Sequence, residues 1–144
     1  MIVPTSGLPA LRGRVTMVDG GFDPIHHGHV AYFEAAAGLG LPVLCNVAPD
    51  NWVARKHAPL LPQEARGTLV DAIRFVDYTH LSQTTTAEVL RLLEPRYYAK
   101  GEDWRGRLPE AEQEACSELE IEVVYLPTVR DSSTAILERY RGST

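Results

Sequence analysis

The stretch Gly20-Gly21-Phe22-Asp23-Pro24-Ile25-His26-His27-Gly28-His29 puts three imidazoles within four positions, beside a glycine and behind a proline. Three chemistries suit that pattern. If a helix starts near Gly28, its first-turn amides lack intrahelical partners and carry the positive end of the helix dipole, which favours a phosphate. The dipole supplies only about 0.3–2 kcal/mol, so side-chain donors must add to it. His26 and His29 are three apart and share a face on a helical turn, while His27 points elsewhere. Gly20, Gly21 and Gly28 let backbone approach a ligand because no Cβ intervenes. Zinc is a second reading; it needs three or four ligands, and Asp23, His57 and His80 are the nearest candidates. A polar turn whose histidines only cap the helix is the third.

Three other segments carry polar groups of the same kind. Residues 49–61 have no hydrophobic period and hold Arg55 and Lys56, with Asp50 at the start and Arg66 just beyond, a basic loop able to meet substrate phosphates. Lys100-Gly101-Glu102-Asp103-Trp104 follows an apolar run, and Ser132-Ser133-Thr134 stands at a helix start, where hydroxyls and amides can donate together.

These segments need elements to hold them. Residues 14–18 form a short apolar run stopped by Asp19-Gly20-Gly21, the pattern of a buried strand. Val30, Phe33 and Ala37 recur at helical spacing until Gly38 and Gly40. Residues 42–48 are a second strand. A helix beginning at Pro62 sets Leu69, Ile73 and Val76 on one face, and residues 78–81 are a third strand. Thr85 with Glu88 predicts a capping box for a helix through Leu93. Residues 97–99 are a fourth strand, 109–116 a surface helix, 121–126 a fifth strand, and a last helix runs from Ser132 to Arg141. This alternation predicts one α/β domain: a Rossmann-like, doubly wound sheet of five parallel strands with helices on both faces. Residues 1–12, with two prolines and a glycine, read as an irregular lead-in, and 13–144 as the domain. Ligands of such folds lie beyond the carboxyl ends of the strands, where strand order reverses, so the histidine turn falls at the right edge.

The formal net charge of -5 over 144 residues argues against a broad electrostatic grip on nucleic acid. No apolar run approaches the ~18 residues needed to span a bilayer, and the start lacks the pattern of a signal peptide. Cys45 and Cys116 suit a reducing cytoplasm better than a disulfide framework.

Residues 21–29 match the G-x-F-D-x-x-H-x-G-H signature of the HxGH nucleotidyltransferase superfamily, with Gly21 where many members have threonine. Residues 99–104 resemble the G-D-D-W stretch of glycerol-3-phosphate cytidylyltransferases and the K-G-G-D-Y stretch of heptose-phosphate adenylyltransferases. Residues 122–127 are similar to the cytidylyltransferase strand before its last motif. Residues 132–136 resemble the I-S-S-T-x-I element of that motif, although Asp131 replaces an apolar residue and Leu137 the arginine of several members.

The resemblance implies transfer of a nucleoside monophosphate from a triphosphate to a phosphorylated small molecule (a polyol phosphate, a sugar phosphate or a phosphonate), with release of pyrophosphate. It implies CTP first, ATP second, Mg²⁺ on the triphosphate, and a cytoplasmic homodimer. His26, His29 and Lys56 are its catalytic residues. Gly20, Gly21, Phe22, Asp23, Gly28, Lys100, Gly101, Asp103, Trp104, Ser132, Ser133 and Thr134 are its nucleotide-binding residues, and Asp50, Arg55 and Arg66 its substrate-binding ones. A nucleotide-binding module without catalysis is the rival from another class.

Overall fold

The computed structural model describes residues 1–127 and 133–142, apart from the side chains of Ser133, Thr134 and Gly142. Five strands, β1 (Thr16–Gly20), β2 (Val43–Val47), β3 (Tyr78–Leu81), β4 (Tyr97–Gly101) and β5 (Glu122–Leu126), form one sheet. Their order is β3-β2-β1-β4-β5 and every pairing is parallel. The chain winds outward from β1 to β3, then crosses to β4 and winds outward the other way. Strand order therefore reverses between β1 and β4, and the crevice there opens at their carboxyl ends.

Every residue of β2 is buried, as expected for a parallel strand covered on both faces. Alternation divides the sheet between two cores. Val15, Met17, Leu44 and Tyr98 face α4 (Thr86–Leu93), α5 (Glu110–Glu118) and the 3₁₀ helix Thr5–Leu11. Val18, Val43, Cys45, Val47 and Ala99 face α1 (His27–Ala37) and α3 (Gln63–Asp71) through Phe33, Ala36 and Val70. Burying each large aliphatic side chain contributes about 1.5–3 kcal/mol against exposure. The remaining helices are α2 (Asp50–Val53) and α6 (Ser133–Gly142). No helix among the described residues is long and apolar enough to cross a membrane.

Four details differ from the sequence expectation. Asp19 and Gly20 belong to β1, because they continue the register opposite Asn46 and Val47. The lead-in is ordered: Leu8 of the 3₁₀ helix is fully buried, and the Val3 N–H donates to Thr79 O at 2.7 Å along the edge of β3. The basic loop contains α2. Finally, α3 stops at Asp71, so Leu69 turns to solvent at 41% exposure while Val70 takes the core position. Beyond Asp71 a chain of turns carries Ile73 and Val76 inward. Thr85 does cap α4, accepting the Glu88 N–H at 3.2 Å.

Candidate active site

At the end of β1 the backbone is shaped by its own packing. A Cβ on Gly20 would stand 3.0 Å from the Phe22 ring, and one on Gly21 would stand 3.2 Å from both Trp52 and Val53. Phe22 has φ +54, a left-handed conformation rarely adopted by a bulky residue. Its buried ring meets His29 edge-on at 5.0 Å and Phe33 at 5.4 Å. Both glycines, expected to admit a ligand, thus admit protein side chains that set the turn. Tyr32 donates to Ala99 O at 2.5 Å and ties α1 to β4 across the crevice.

The turn orients two histidines. The Gly28 N–H donates to His26 Nδ1 at 3.0 Å, and the His26 N–H donates to His29 Nδ1 at 3.1 Å, a reciprocal cap at the start of α1. An Nδ1 that accepts a backbone hydrogen carries none, so each neutral ring holds its hydrogen on Nε2. The rings lie 3.9 Å apart at 32°. Burial, then the neighbouring His26, lowers the pKa of His29 to about 3, which keeps it a neutral donor at physiological pH. His27 is exposed. The two Nδ1 atoms are committed to backbone, and among the described residues no group of three His, Cys, Asp or Glu side chains is placed to hold a metal.

A second set of contacts fixes the basic loop. Asp23 is 2% exposed, and its two oxygens accept the Leu60 and Leu61 N–H groups at 2.7 and 3.0 Å. Arg66 is fully buried. Its guanidinium donates to Leu61 O, Gly21 O, Ala48 O and Asp50 Oδ1 at 3.1, 2.7, 2.8 and 2.5 Å. It joins the histidine turn, the end of β2, α2 and the end of the loop at one point, so the substrate contact expected of it is replaced by an internal one. Arg55 and Lys56 are exposed, and the Lys56 ammonium lies 4.7 Å over the Trp52 ring.

Across the crevice, Lys100 is nearly buried and donates to Asp19 Oδ1 at 2.9 Å. Its ammonium sits 4.3 Å over Trp104, on the short 3₁₀ turn Glu102–Trp104 that leaves β4. Asp19 Oδ2 accepts from Thr86 Oγ1 at 3.0 Å, at the start of α4. The Tyr98 hydroxyl is 2.6 Å from Glu112 and 3.2 Å from each Asp19 oxygen. Burial first, then Asp19, raises the Tyr98 pKa well above its ordinary value. Gly101 is buried and Asp103 exposed.

Residues 17–139 match the family model described as cytidylyltransferase-like. The chain belongs to the cytidylyltransferase-like family. It is 32% identical over 134 residues to the bifunctional protein HldE of Nitratiruptor sp., covering 90% of this chain and 28% of that protein. The chain thus spans little more than a quarter of that relative's length. It is 35% identical over 96 residues to the FAD synthase of Methanothrix thermoacetophila, covering 65% of this chain and 67% of that one. The fold is shared with the lipopolysaccharide core biosynthesis protein of Thermoplasma volcanium, with TM-score 0.67, 24% identity, and coverage of 83% and 98% of the two chains.

In this cytidylyltransferase-like domain the predicted residues fall into separate places. His26, His29 and Gly28 form one unit at α1, while Lys56 stands with Trp52 against Gly21. Lys100 and Gly101 end β4, and Trp104 lies on the turn that follows, under the Lys100 ammonium. Ser132 lies outside the described residues, as do the side chains of Ser133 and Thr134, whose backbone begins α6. Asp19, Tyr98, Thr86 and Glu112 were not foreseen. A carboxylate ending an otherwise apolar strand was the available signal for Asp19.

Proposed function

We propose that the protein transfers a nucleoside monophosphate from a nucleoside triphosphate to a phosphorylated small molecule, releasing pyrophosphate. The observation that carries this reading is the neutral His26–His29 pair, with both rings bearing hydrogen on Nε2 at the start of a helix. The family membership supports nucleotidyl transfer in general.

An acceptor phosphate oxygen attacks the α-phosphorus; the new O–P bond forms as the bond from the α-phosphorus to the bridging oxygen breaks. Pyrophosphate leaves with that electron pair. A phosphate monoester is already anionic, so no general base is needed. Catalysis then rests on alignment and on donors aimed at the charge on the α-phosphate and leaving group. His26 and His29 donate through Nε2 to the α-phosphate oxygens, with the positive end of the α1 dipole behind them. Lys56, supported on Trp52, meets the β- and γ-phosphates. Mg²⁺ carried by the triphosphate would offset charge on its phosphate oxygens, beside the donors that His26, His29 and Lys56 supply.

For the nucleotide we read ATP before CTP. The resemblance of residues 99–104 and 122–127 implies CTP first, with Trp104 among the nucleotide-binding residues. The Lys100 ammonium covers one face of that ring, and FAD synthase is by its name an enzyme whose product contains adenine. Pyrophosphate release measured with each nucleotide, against a panel of phosphorylated alcohols, tests the reading. Release that requires an acceptor supports it; nucleotide binding without release from any acceptor leaves a binding module in its place.

A further inference from the structure

One phenol stands between two carboxylates. The Tyr98 hydroxyl is 2.6 Å from Glu112 Oε1 of α5 and 3.2 Å from each oxygen of Asp19. Asp19 passes the contact on: its Oδ1 accepts from the Lys100 ammonium at 2.9 Å and its Oδ2 from Thr86 Oγ1 at 3.0 Å. The chain of contacts thus runs from a helix flanking the sheet to the end of β4, where the Lys100 ammonium also lies 4.3 Å over Trp104. Tyr98 is fully buried, and the Asp19 and Lys100 side chains are 10% and 8% exposed.

These contacts ask for more hydrogens than a phenol has. Its single hydrogen goes either to Glu112 or to Asp19, and its oxygen can accept one in return. Burial first, then Asp19, holds the Tyr98 pKa well above its ordinary value, so the hydroxyl keeps that hydrogen at physiological pH. With both carboxylates ionised, the hydrogen goes to Glu112 across the shorter contact, and two carboxylates outnumber the one ammonium beside them. With Glu112 protonated, its O–H donates to the Tyr98 oxygen, the Tyr98 hydrogen turns to Asp19, and every contact of the chain is made. Burial raises the Glu112 pKa; the Tyr98 hydrogen bond lowers it, Asp19 raises it and Lys100 lowers it, with a net rise. Glu112 shares α5 with Cys116, and the neighbouring α4 contributes Arg91, which pairs with Glu118 at the other end of α5.

We propose that Glu112 is a positioning residue for the Lys100 ammonium, acting through the Tyr98 hydroxyl and Asp19. A third donor on Asp19 spreads the charge of that carboxylate and loosens its hold on Lys100. The proton on Glu112 also removes the surplus negative charge. An ammonium held less tightly, in a cluster without net charge, meets a phosphate anion more favourably. Ionised Glu112 does the reverse: it draws the hydroxyl away from Asp19 and leaves Lys100 to answer that carboxylate. The proposal rests on the nucleotidyl-transfer reading in taking a triphosphate as the anion. Its size is about 2- to 30-fold in affinity, the effect of one unit charge about 8 Å away at dielectrics between water and a protein surface.

The test follows ¹³C-labelled carboxyl groups by NMR from pH 8 to 4 in the wild type, Glu112→Gln and Tyr98→Phe. Binding of ATP and of CTP is read over the same range by isothermal titration calorimetry without acceptor, and pyrophosphate release is read separately. In the wild type the Asp19 signal should step at the pH where Glu112 titrates; Tyr98→Phe should shrink that step and Glu112→Gln abolish it. A glutamine is neutral at every pH, and its amide can donate to the Tyr98 oxygen as the protonated acid does. The ratio of wild-type to Glu112→Gln dissociation constants for the tighter-binding nucleotide should therefore rise from near 1 below the Glu112 midpoint to about 2–30 above it. Titration of the nucleotide phosphates and of His26 and His27 is common to both proteins and cancels in the ratio. An Asp19 signal without a step at the Glu112 midpoint overturns the proposal, as does a ratio that stays at 1 or a Tyr98→Phe protein with the full step. Should Tyr98→Phe fail to fold, Glu112→Gln decides alone. The expected ratio with no pyrophosphate released from any acceptor upholds the positioning role and overturns the transfer reading instead.

Discussion

His26 and His29 hold each other through backbone. The His29 ring accepts the His26 N–H at 3.1 Å, and the His26 ring accepts from Gly28 at 3.0 Å. Neither ring can turn without freeing a backbone donor, so both rings keep the orientation that the caps set. His29→Ala should lower kcat by about 10²–10³, the loss expected for one transition-state donor. It should also cost some stability, because the His26 N–H loses its partner; caps of this kind are worth about 0.5–2 kcal/mol. His27→Ala, at an exposed position, should leave kcat and melting temperature close to wild type. Steady-state rates and thermal melts of both variants check this, and equal losses at the two positions would reject the donor role.

The lowered pKa of His29 has a pH consequence. The unfolded chain protonates this residue near 6.5, the native state only near 3. Between those values the unfolded state holds a proton that the native state lacks, so stability falls as pH drops below about 6.5 and stops falling near 3. Urea midpoints from pH 7 to 4 should decline in the wild type, and less steeply in His29→Ala. An NMR titration of His29 that shows a midpoint near 6.5 would contradict the burial argument.

Arg66 should be among the most sensitive residues of the chain. Replacing it with alanine leaves three part-buried carbonyls short of a donor, and Asp50 without its partner. Removing one member of a buried charged network typically costs about 3–5 kcal/mol, measurable by urea denaturation. Asp50→Asn should cost far less, because the Asp50 side chain is 51% exposed and the other three bonds survive. Similar losses at both positions would show that the ion pair, rather than the carbonyl contacts, holds the loop.

Asp23→Asn separates loop anchoring from chemistry. An amide has one acceptor oxygen where the carboxylate has two, so either the Leu60 or the Leu61 N–H loses its partner. A buried donor left unpaired costs about 1–3 kcal/mol. Residues 54–61 should become more open to limited proteolysis, and kcat/KM for the triphosphate should fall as Lys56 loses its fixed place. Unchanged proteolysis would move Asp23 from anchor to ligand contact.

The fold was legible because its signals are local and periodic: apolar runs ended by glycine, and helical spacing from Val30 to Ala37. The α3 face was misplaced by a residue, since Leu69 and Val70 are both apolar and spacing alone does not choose between them. At the site, His26, His29 and Gly28 were legible because neighbours in sequence make their contacts. Arg66 was not: its basic charge suggests a phosphate ligand, whereas its partners Gly21 and Ala48 lie 45 and 18 residues away. Asp19 and Lys100 are 81 residues apart and meet only when β4 joins β1. The same holds for Tyr98 and Asp19, 79 residues apart.

Nucleotide choice turns on the far side of the crevice. Cytosine and adenine both carry an exocyclic amino group, and the exposed Asp103 can accept from either, so that residue does not discriminate. Shape has to, and Trp104 is the large ring nearby. A wall that excludes purines needs a face open to the base. One face of Trp104 instead carries the Lys100 ammonium at 4.3 Å, a contact worth about 0.5–2 kcal/mol. Its first task is to seat Lys100 beside Asp19. ATP should therefore be preferred to CTP by about 10–200-fold in kcat/KM, the range that modest differences in pocket shape produce. Trp104→Ala should keep the sign of that preference. Turnover with CTP in preference to ATP, lost on Trp104→Ala, would make Trp104 a pyrimidine-fitting wall.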